Sequence, residues 1–213
     1  MAKVNNDFHK IMNERHSVRR FDSSVKIERE ELVEMLDEAI TAPSACNLQA
    51  WKFVVIDTEE GKEKLRSFCM KFNHTQINSS SAVVMFFGNT LAYEKYSALW
   101  HGMFEAGKVS EEAMNAALNT FLPLYQKADR KMLVEDAMVD TSLAAMQFML
   151  AAREHGYETN AMAGYDASKA ASTFDLDPEQ YIPVMAIAIG KPDETAEEIT
   201  TTRYPISELV DFS

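Results

Sequence analysis

Seven glycines in 213 residues is few. No G-x-G-x-x-G follows a strand-like run and no G-x-x-x-x-G-K-[ST] occurs, which excludes the Rossmann fingerprint and the P-loop. A phosphate-bearing cofactor would therefore have to be gripped by side-chain cations, not by a glycine cradle. G-x-S-x-G and H-E-x-x-H are also missing. Cysteine is as scarce: Cys46 and Cys69 alone exclude a disulfide framework or a cysteine-rich zinc site. The five histidines never fall in metal-ligand spacing. Positive charge is short as well, with 21 Lys and Arg against 33 Asp and Glu and a net charge of −12. So acidic a chain lacks the basic footprint that nucleic acid or an anionic membrane surface requires. No run of about 18 apolar residues exists to span a bilayer. Met1 to Lys10 contains no apolar signal segment, so the chain is expected in a reducing, cytoplasmic compartment.

What is present is patterned. Residues 4–14 read as a short helix. In 28–42, Leu32, Met35, Leu36, Ala39 and Ile40 recur at helical spacing, and Pro43 closes the segment. Trp51 to Ile56 has strand composition, and 60–72 reads as helix. Ala82 to Phe87 is an unbroken apolar run, expected as a strand buried on both faces. Residues 92–130 predict helices with a break near Pro123. Residues 132–155 are apolar almost all round, as in a central helix or one shared with a partner chain, and Gly156 stops them. A short helix over 167–174, a buried strand over 183–189, a polar loop over 191–202 and a tail from Arg203 complete the chain. Helices separate the strands, so the expectation is one α+β domain over 1–213, a central sheet covered by helices on both faces.

Four short segments could carry chemistry. Arg15, Ser17 and Arg19 stand out against the acidic background. Arginine forks and a hydroxyl suit phosphate oxygens, and a solvated basic turn is the alternative. Pro43-Ser44-Ala45-Cys46-Asn47-Leu48-Gln49 joins a helix to a strand; it could line a planar ring or be only a polar connector. Asn160-Ala161-Met162-Ala163-Gly164 could offer backbone N–H groups to a ligand or be a tight strand-to-helix turn. Arg203 could be a ligand or a solvated tail charge. Both cysteines are read as buried or inert, Trp51 and Trp100 as packing anchors, and the thirteen methionines as adaptable core.

Taken in order, these segments resemble the FMN-dependent nitroreductase family. The resemblance rests on Arg15-His16-Ser17-Val18-Arg19-Arg20-Phe21, Ala42 to Trp51, and Phe72-Asn73, then Gly156-Tyr157-Glu158 leading to Met162-Ala163-Gly164-Tyr165-Asp166, Ile189-Gly190 and Arg203-Tyr204-Pro205. It implies a mainly antiparallel sheet flanked by helices, an intertwined homodimer, FMN at the subunit interface, and NADH or NADPH as electron donor. It implies ping-pong turnover, with a nitroaromatic, quinone or related acceptor as oxidant. Carried over by motif, Arg15, Ser17 and Arg203 belong to the phosphate end, and Arg19 to the ribityl chain or ring O2. Pro43, Ser44 and Asn47 would come from the partner subunit, and His16 and Ala45 complete the cofactor-binding residues. Asn73 and Gln76 would bond the pyrimidine edge, Met162 would lie against the ring, and the Ala163 and Gly164 amides would face N5. The chain departs from the family pattern at Ala50, where proline is frequent, at Ala163, where some members carry an acid, and at Thr201, where some carry lysine. The stretch 92–130 is expected to shape the substrate pocket, with Phe121, Leu124 and Tyr125 as candidate lining. A flavin-sequestering protein without useful turnover is the alternative function.

Overall fold

The structure is a computed structural model and describes residues 4–197 and 201–213. Four strands, β1 (Trp51–Ile56), β2 (Ala82–Asn89), β3 (Glu158–Met162) and β4 (Tyr181–Gly190), form one sheet in the order β1-β2-β4-β3. Every pairing is antiparallel. The two continuous apolar runs take the middle, where both faces are covered: Val83 to Phe87 and Ala186 to Ile189 have no exposed surface. Pro183 has no N–H to give a central strand. It sits at the irregularity where Phe86 pairs with Met185 and Phe87 with Pro183, a place where a missing donor is tolerated.

Side-chain alternation along β2 sends Val83, Met85 and Phe87 to one face and Val84 and Phe86 to the other. The first face packs on Leu65 of α3 (Glu59–Arg66) and on Ala170 and Ala171 of α8 (Ala167–Thr173). The second packs on Leu32, Met35 and Ala39 of α2 (Arg29–Ala39) and on Ala145, Phe148 and Ala152 of α7 (Arg130–Glu154). Small residues let α7 lie close to the sheet. A Cβ added at Gly88 would come within 3.1 Å of the Ala137 backbone, so glycine is needed there. A third cluster joins Tyr96 of α5 (Tyr96–Glu105), Tyr125 of α6 (Glu111–Lys127) and Ala137 of α7 to Leu48 and Ala50. Capping fixes the helix starts: Asp7 opens α1 (Phe8–Asn13), and Thr58, Ser110, Asp129 and Asp166 each accept a first-turn N–H of α3, α6, α7 and α8. Gly156, at φ +81°, ends α7 as expected.

Several expectations need correction. The helix expected over 60–72 stops at Arg66, a 3-10 turn covers Lys71–Asn73, and a separate α4 spans His74–Ser79. Residues 68–73 are drawn instead to the chain near Gly164, where Met70 N–H and Asp166 N–H make backbone bonds to Gly164 and Phe68. Pro123 lies inside α6; the break falls at 106–110, where Gly107 adopts φ +67°. Residues 158–162 form an edge strand that no apolar run announces, and 163–166 make the strand-to-helix turn into α8. Within one chain α7 is not buried all round, since Met138, Val139, Leu143 and Met146 stay exposed.

Candidate functional site

Two local pairings assemble the site. Ser17 forms a parallel bridge with Thr159, and Val18 N–H donates to Thr159 O at 3.0 Å. This lays the basic segment along the free edge of β3. On the other side, Gly164 O accepts from Met70 N–H and from Asn73 Nδ2, both at 2.9 Å. The 70–76 segment is thereby tied to the end of β3.

Between them lies a cavity of about 510 Å³. Its lining includes Ser17, Arg19, Asn73, Gln76, Met162, Ala163 and Gly164. Two of the four sequence segments thus converge, joined by the 72–76 stretch, and Arg19 shares the lining with the Asn73 and Gln76 amides. Asn73 is 3% exposed and Gln76 is 6% exposed. Gln76 Oε1 is buried with no protein hydrogen-bond partner, a vacancy that costs free energy unless a donor fills it. Gly164 keeps the wall thin: a Cβ there would lie 2.6 Å from Phe72 Cζ and 2.8 Å from Asn73 Nδ2. Phe72 is exposed and can swing away, but the buried Asn73 amide cannot. Gly164→Ala is therefore expected to displace Asn73, costing about 1–3 kcal/mol at a buried amide. A ligand held by Asn73 should bind roughly 5- to 150-fold more weakly, as an FMN titration of the apoprotein would read.

Arg15 and His16 are half-buried at the end of the basic segment, with His16 Nδ1 3.0 Å from Glu14 O. Behind them sits the pair Arg153–Glu158. Arg153 Nη2 is 3.4 Å from Glu158 Oε1 and 3.7 Å from Glu14 Oε2, while its Nε and Nη1 and Glu158 Oε2 are buried without hydrogen-bond partners. Burial pushes the Glu158 carboxyl above its ordinary value; Arg153, His16 and Arg15 pull the other way.

The remaining candidates lie elsewhere. Pro43, Ser44, Ala45 and Asn47 do not line this cavity. Their loop is held by α7: Asp140 Oδ1 accepts from Ala45 N–H at 2.8 Å and Oδ2 from Ala50 N–H at 3.4 Å. Arg203 does not line the cavity either; its guanidinium donates to Thr201 Oγ1 and Thr202 O on an exposed tail. Lys191 is committed to the Gly156 carbonyl and lies 4.6 Å from the Tyr157 ring centroid. Of the residues proposed from 92–130, Phe121 and Leu124 are exposed, whereas Tyr125 is buried and donates to Asp136 at 3.0 Å. Cys69 is buried, which pushes its thiol up to about 11 and makes it a poor nucleophile. A second depression, about 1140 Å³, is an open surface groove past Arg20, Asp22 and Lys191 that holds none of the ring-contact candidates. Among the described residues there is no group of acids, histidines and cysteines able to hold a metal. Nor is any helix among them long and apolar enough to cross a membrane.

Asn160, singled out only as part of its segment, also lines the cavity, and sequence reasoning missed Thr75 and Asp140. Thr75 carries no signal beyond its neighbours. Asp140 had one, as the only charged residue between 137 and 152 of the helical run.

Comparison with known proteins decides the family. The nitroreductase family model matches residues 12–191. The chain belongs to the nitroreductase family. A CLA biosynthesis enone reductase of Lactiplantibacillus plantarum is 48% identical over 209 residues, 98% of this chain and 95% of that protein. A nitroreductase-type protein of Exiguobacterium sibiricum, solved in complex with FMN, superposes with a TM-score of 0.94 at 35% identity and full coverage of both chains. A protein of Staphylococcus epidermidis described as an NAD(P)H:FMN oxidoreductase gives 0.93 at 36% identity, covering 100% of this chain and 98% of its own. The all-antiparallel sheet flanked by helices is the nitroreductase-like architecture that the sequence implied.

Proposed function

We propose that the protein is an FMN-dependent oxidoreductase that draws electrons from NADH or NADPH and reduces a small organic acceptor. The observation that carries this reading is the cavity where Ser17 and Arg19 face Asn73, Gln76 and the 162–164 backbone, with the Gln76 Oε1 acceptor buried and unpartnered. Those groups fit FMN. Ser17 and Arg19 offer a hydroxyl and a cation to an anion, and Arg15 and Arg203, which lie outside the cavity lining, are proposed as further phosphate ligands. Asn73 and Gln76 offer amides to the polar edge of a ring, and the thin wall at Gly164 admits its plane. FMN bound here would supply hydride transfer between nicotinamide and acceptor. Arg19 would stabilise negative charge on it, and the Ala163 and Gly164 amides would orient it. No side-chain nucleophile is needed. The FMN complex of the Exiguobacterium protein supports the cofactor, and the Staphylococcus protein supports the NAD(P)H donor. The enone reductase adds a conjugated C=C bond to the nitro groups and quinones considered as acceptors.

The functional unit is a homodimer. Met138, Val139, Leu143 and Met146 leave an apolar stripe on α7 of the kind obligate interfaces bury. Pro43, Ser44, Ala45 and Asn47 reach the flavin of the partner subunit from beside that stripe.

The test is purification followed by a visible spectrum, light scattering and anaerobic addition of NADH and of NADPH. The expected result is a yellow dimer with about one FMN per chain, bleached by at least one nicotinamide and reoxidised by an acceptor. A colourless protein that FMN cannot reconstitute overturns the reading. A yellow protein that neither nicotinamide reduces leaves the flavin-sequestering alternative.

A further inference from the structure

We propose that Asp140 is a positioning residue for the flavin site: it holds the Ser44–Gln49 loop in the shape that presents Ser44 and Asn47. The assignment rests on the reading above that this loop contacts FMN.

The loop is unusual. Cys46, Asn47 and Gln49 adopt φ of +50°, +60° and +51°, and none is glycine. Left-handed backbone in three of four consecutive residues is unfavourable and persists only where surrounding contacts over-determine it. Those contacts converge on α7. Asp140, 1% exposed, accepts the Ala45 and Ala50 N–H groups, one before and one after the left-handed run. Its neighbour Thr141 donates to Ala50 O at 3.1 Å. Ser44 Oγ accepts Gln49 N–H at 3.0 Å, closing the loop on itself. Leu48, at 9% exposed, is the loop's apolar anchor. Two clamped ends, a local tie and an anchor leave Asn47 exposed at the tip.

Asp140 is a costly way to stabilise a helix. Burial pushes its carboxyl upward, Asp136 one turn away adds repulsion, and only the two backbone N–H groups favour the charge. Between 137 and 152 Asp140 is the only charged residue of α7. A buried acid kept at that cost fits a position where loop geometry matters more than helix stability. Both carboxylate oxygens act as acceptors, so neither alanine nor asparagine can replace them in full.

The experiment compares Asp140→Ala, Asp140→Asn, Asn47→Ala and Tyr157→Phe. Tyr157→Phe is the stability control, because Tyr157 donates to Glu31 at 2.9 Å and lines no part of the 510 Å³ cavity. FMN affinity is read by fluorescence titration of the apoprotein. Ring environment is read by visible circular dichroism of the holoenzyme, and stability by apoprotein melting. Asp140→Ala is expected to weaken FMN about tenfold or more and to change the flavin dichroism, since two charge-assisted bonds to one loop are lost. Asp140→Asn, which keeps one acceptor and should fold if the alanine variant does not, is expected in between. Tyr157→Phe should lower the melting temperature while FMN affinity and dichroism stay at wild type. If Asn47→Ala alters the dichroism and both Asp140 variants leave it at wild type, the assignment is overturned alone. If Asn47→Ala is itself silent, the loop does not touch the flavin, and that reading falls with the assignment. If the Asp140 variants lose FMN only in proportion to melting temperature, as Tyr157→Phe then also would, Asp140 is structural and the assignment is overturned.

Discussion

Arg153→Met should lower stability by about 3 kcal/mol near pH 8, and the loss should shrink in acid. Truncating one partner of a buried ion pair leaves the other charge uncompensated, typically costing about 3–5 kcal/mol. Arg153 belongs at the lower end of that range. Its contact to Glu158 is long, at 3.4 Å, and its Nε and Nη1 are buried without partners, so its removal also relieves a desolvation cost. At this chain length the melting temperature should fall by roughly 6–12 °C. The pH dependence follows from Glu158. Burial already holds its carboxyl above the ordinary 4.5, and losing Arg153 raises it further. A carboxyl with a raised folded-state pKa favours folding most when protonated, and that contribution is lost as pH rises through the folded value. The variant should therefore regain stability as pH falls from 8 toward 5. Arg153→Met combined with Glu158→Gln should recover most of the loss at pH 8. Thermal melts of both across this range check the argument. A single variant as stable as wild type at pH 8, or one whose deficit grows in acid, would refute it.

The second large effect concerns FMN. Arg19→Ala removes the one Lys or Arg that lines the 510 Å³ cavity among the described residues. A charge-assisted hydrogen bond is worth roughly 1.5–3 kcal/mol, so FMN should bind about 10- to 150-fold more weakly. If Arg19 faces the ring rather than the phosphate, reduction by NAD(P)H should also slow at saturating FMN, because negative charge on the reduced ring loses its counterion. Arg203→Ala discriminates. Its guanidinium is satisfied within the tail, at Thr201 and Thr202. If it joins the phosphate, affinity falls in the same range while the reduction rate holds. If it is a surface charge, the change stays within about 0.5 kcal/mol. Paired FMN titrations and anaerobic reduction rates decide it. Equal losses of affinity, with reduction unaltered in both variants, would show that Arg19 and Arg203 do not have separate roles.

Where one local signal determined an element, the sequence was readable. The strands β1, β2 and β4 are apolar or β-branched runs, and Gly156 marks the end of α7 unaided. Where tertiary contacts decided, it was not. Glu158-Thr159-Asn160-Ala161-Met162 has no apolar run: in this edge strand Glu158 pairs with Arg153 and Asn160 lines the cavity. Ser67 to Asn73 could have continued α3 but is pulled across to Gly164 by bonds that no local pattern announces. Pro123 drew the helix break to itself, although a left-handed glycine sixteen residues earlier made it. The motif residues were visible as types. That Ser17 and Arg19 would share a cavity with Asn73 and Gln76 depends on one bridge to Thr159 and one shared carbonyl at Gly164.

The strand order also bears on how the chain finds its shape. β1 and β2 are joined by a short helical excursion, and β3 and β4 likewise, but β2 meets β4 only after on the order of a hundred residues, as in Met85 with Ala186. The two outer pairs can close early. The central pair carries the most deeply buried rows of side chains and must wait for α5, α6 and α7 to be laid out between. A late, entropy-limited closure of this kind makes the central ladder the slow step of refolding and, once formed, the last backbone to exchange its amide hydrogens. Because α7 supplies both Asp140 and the layer over β2 and β4, the loop that it holds should gain order only in that final step.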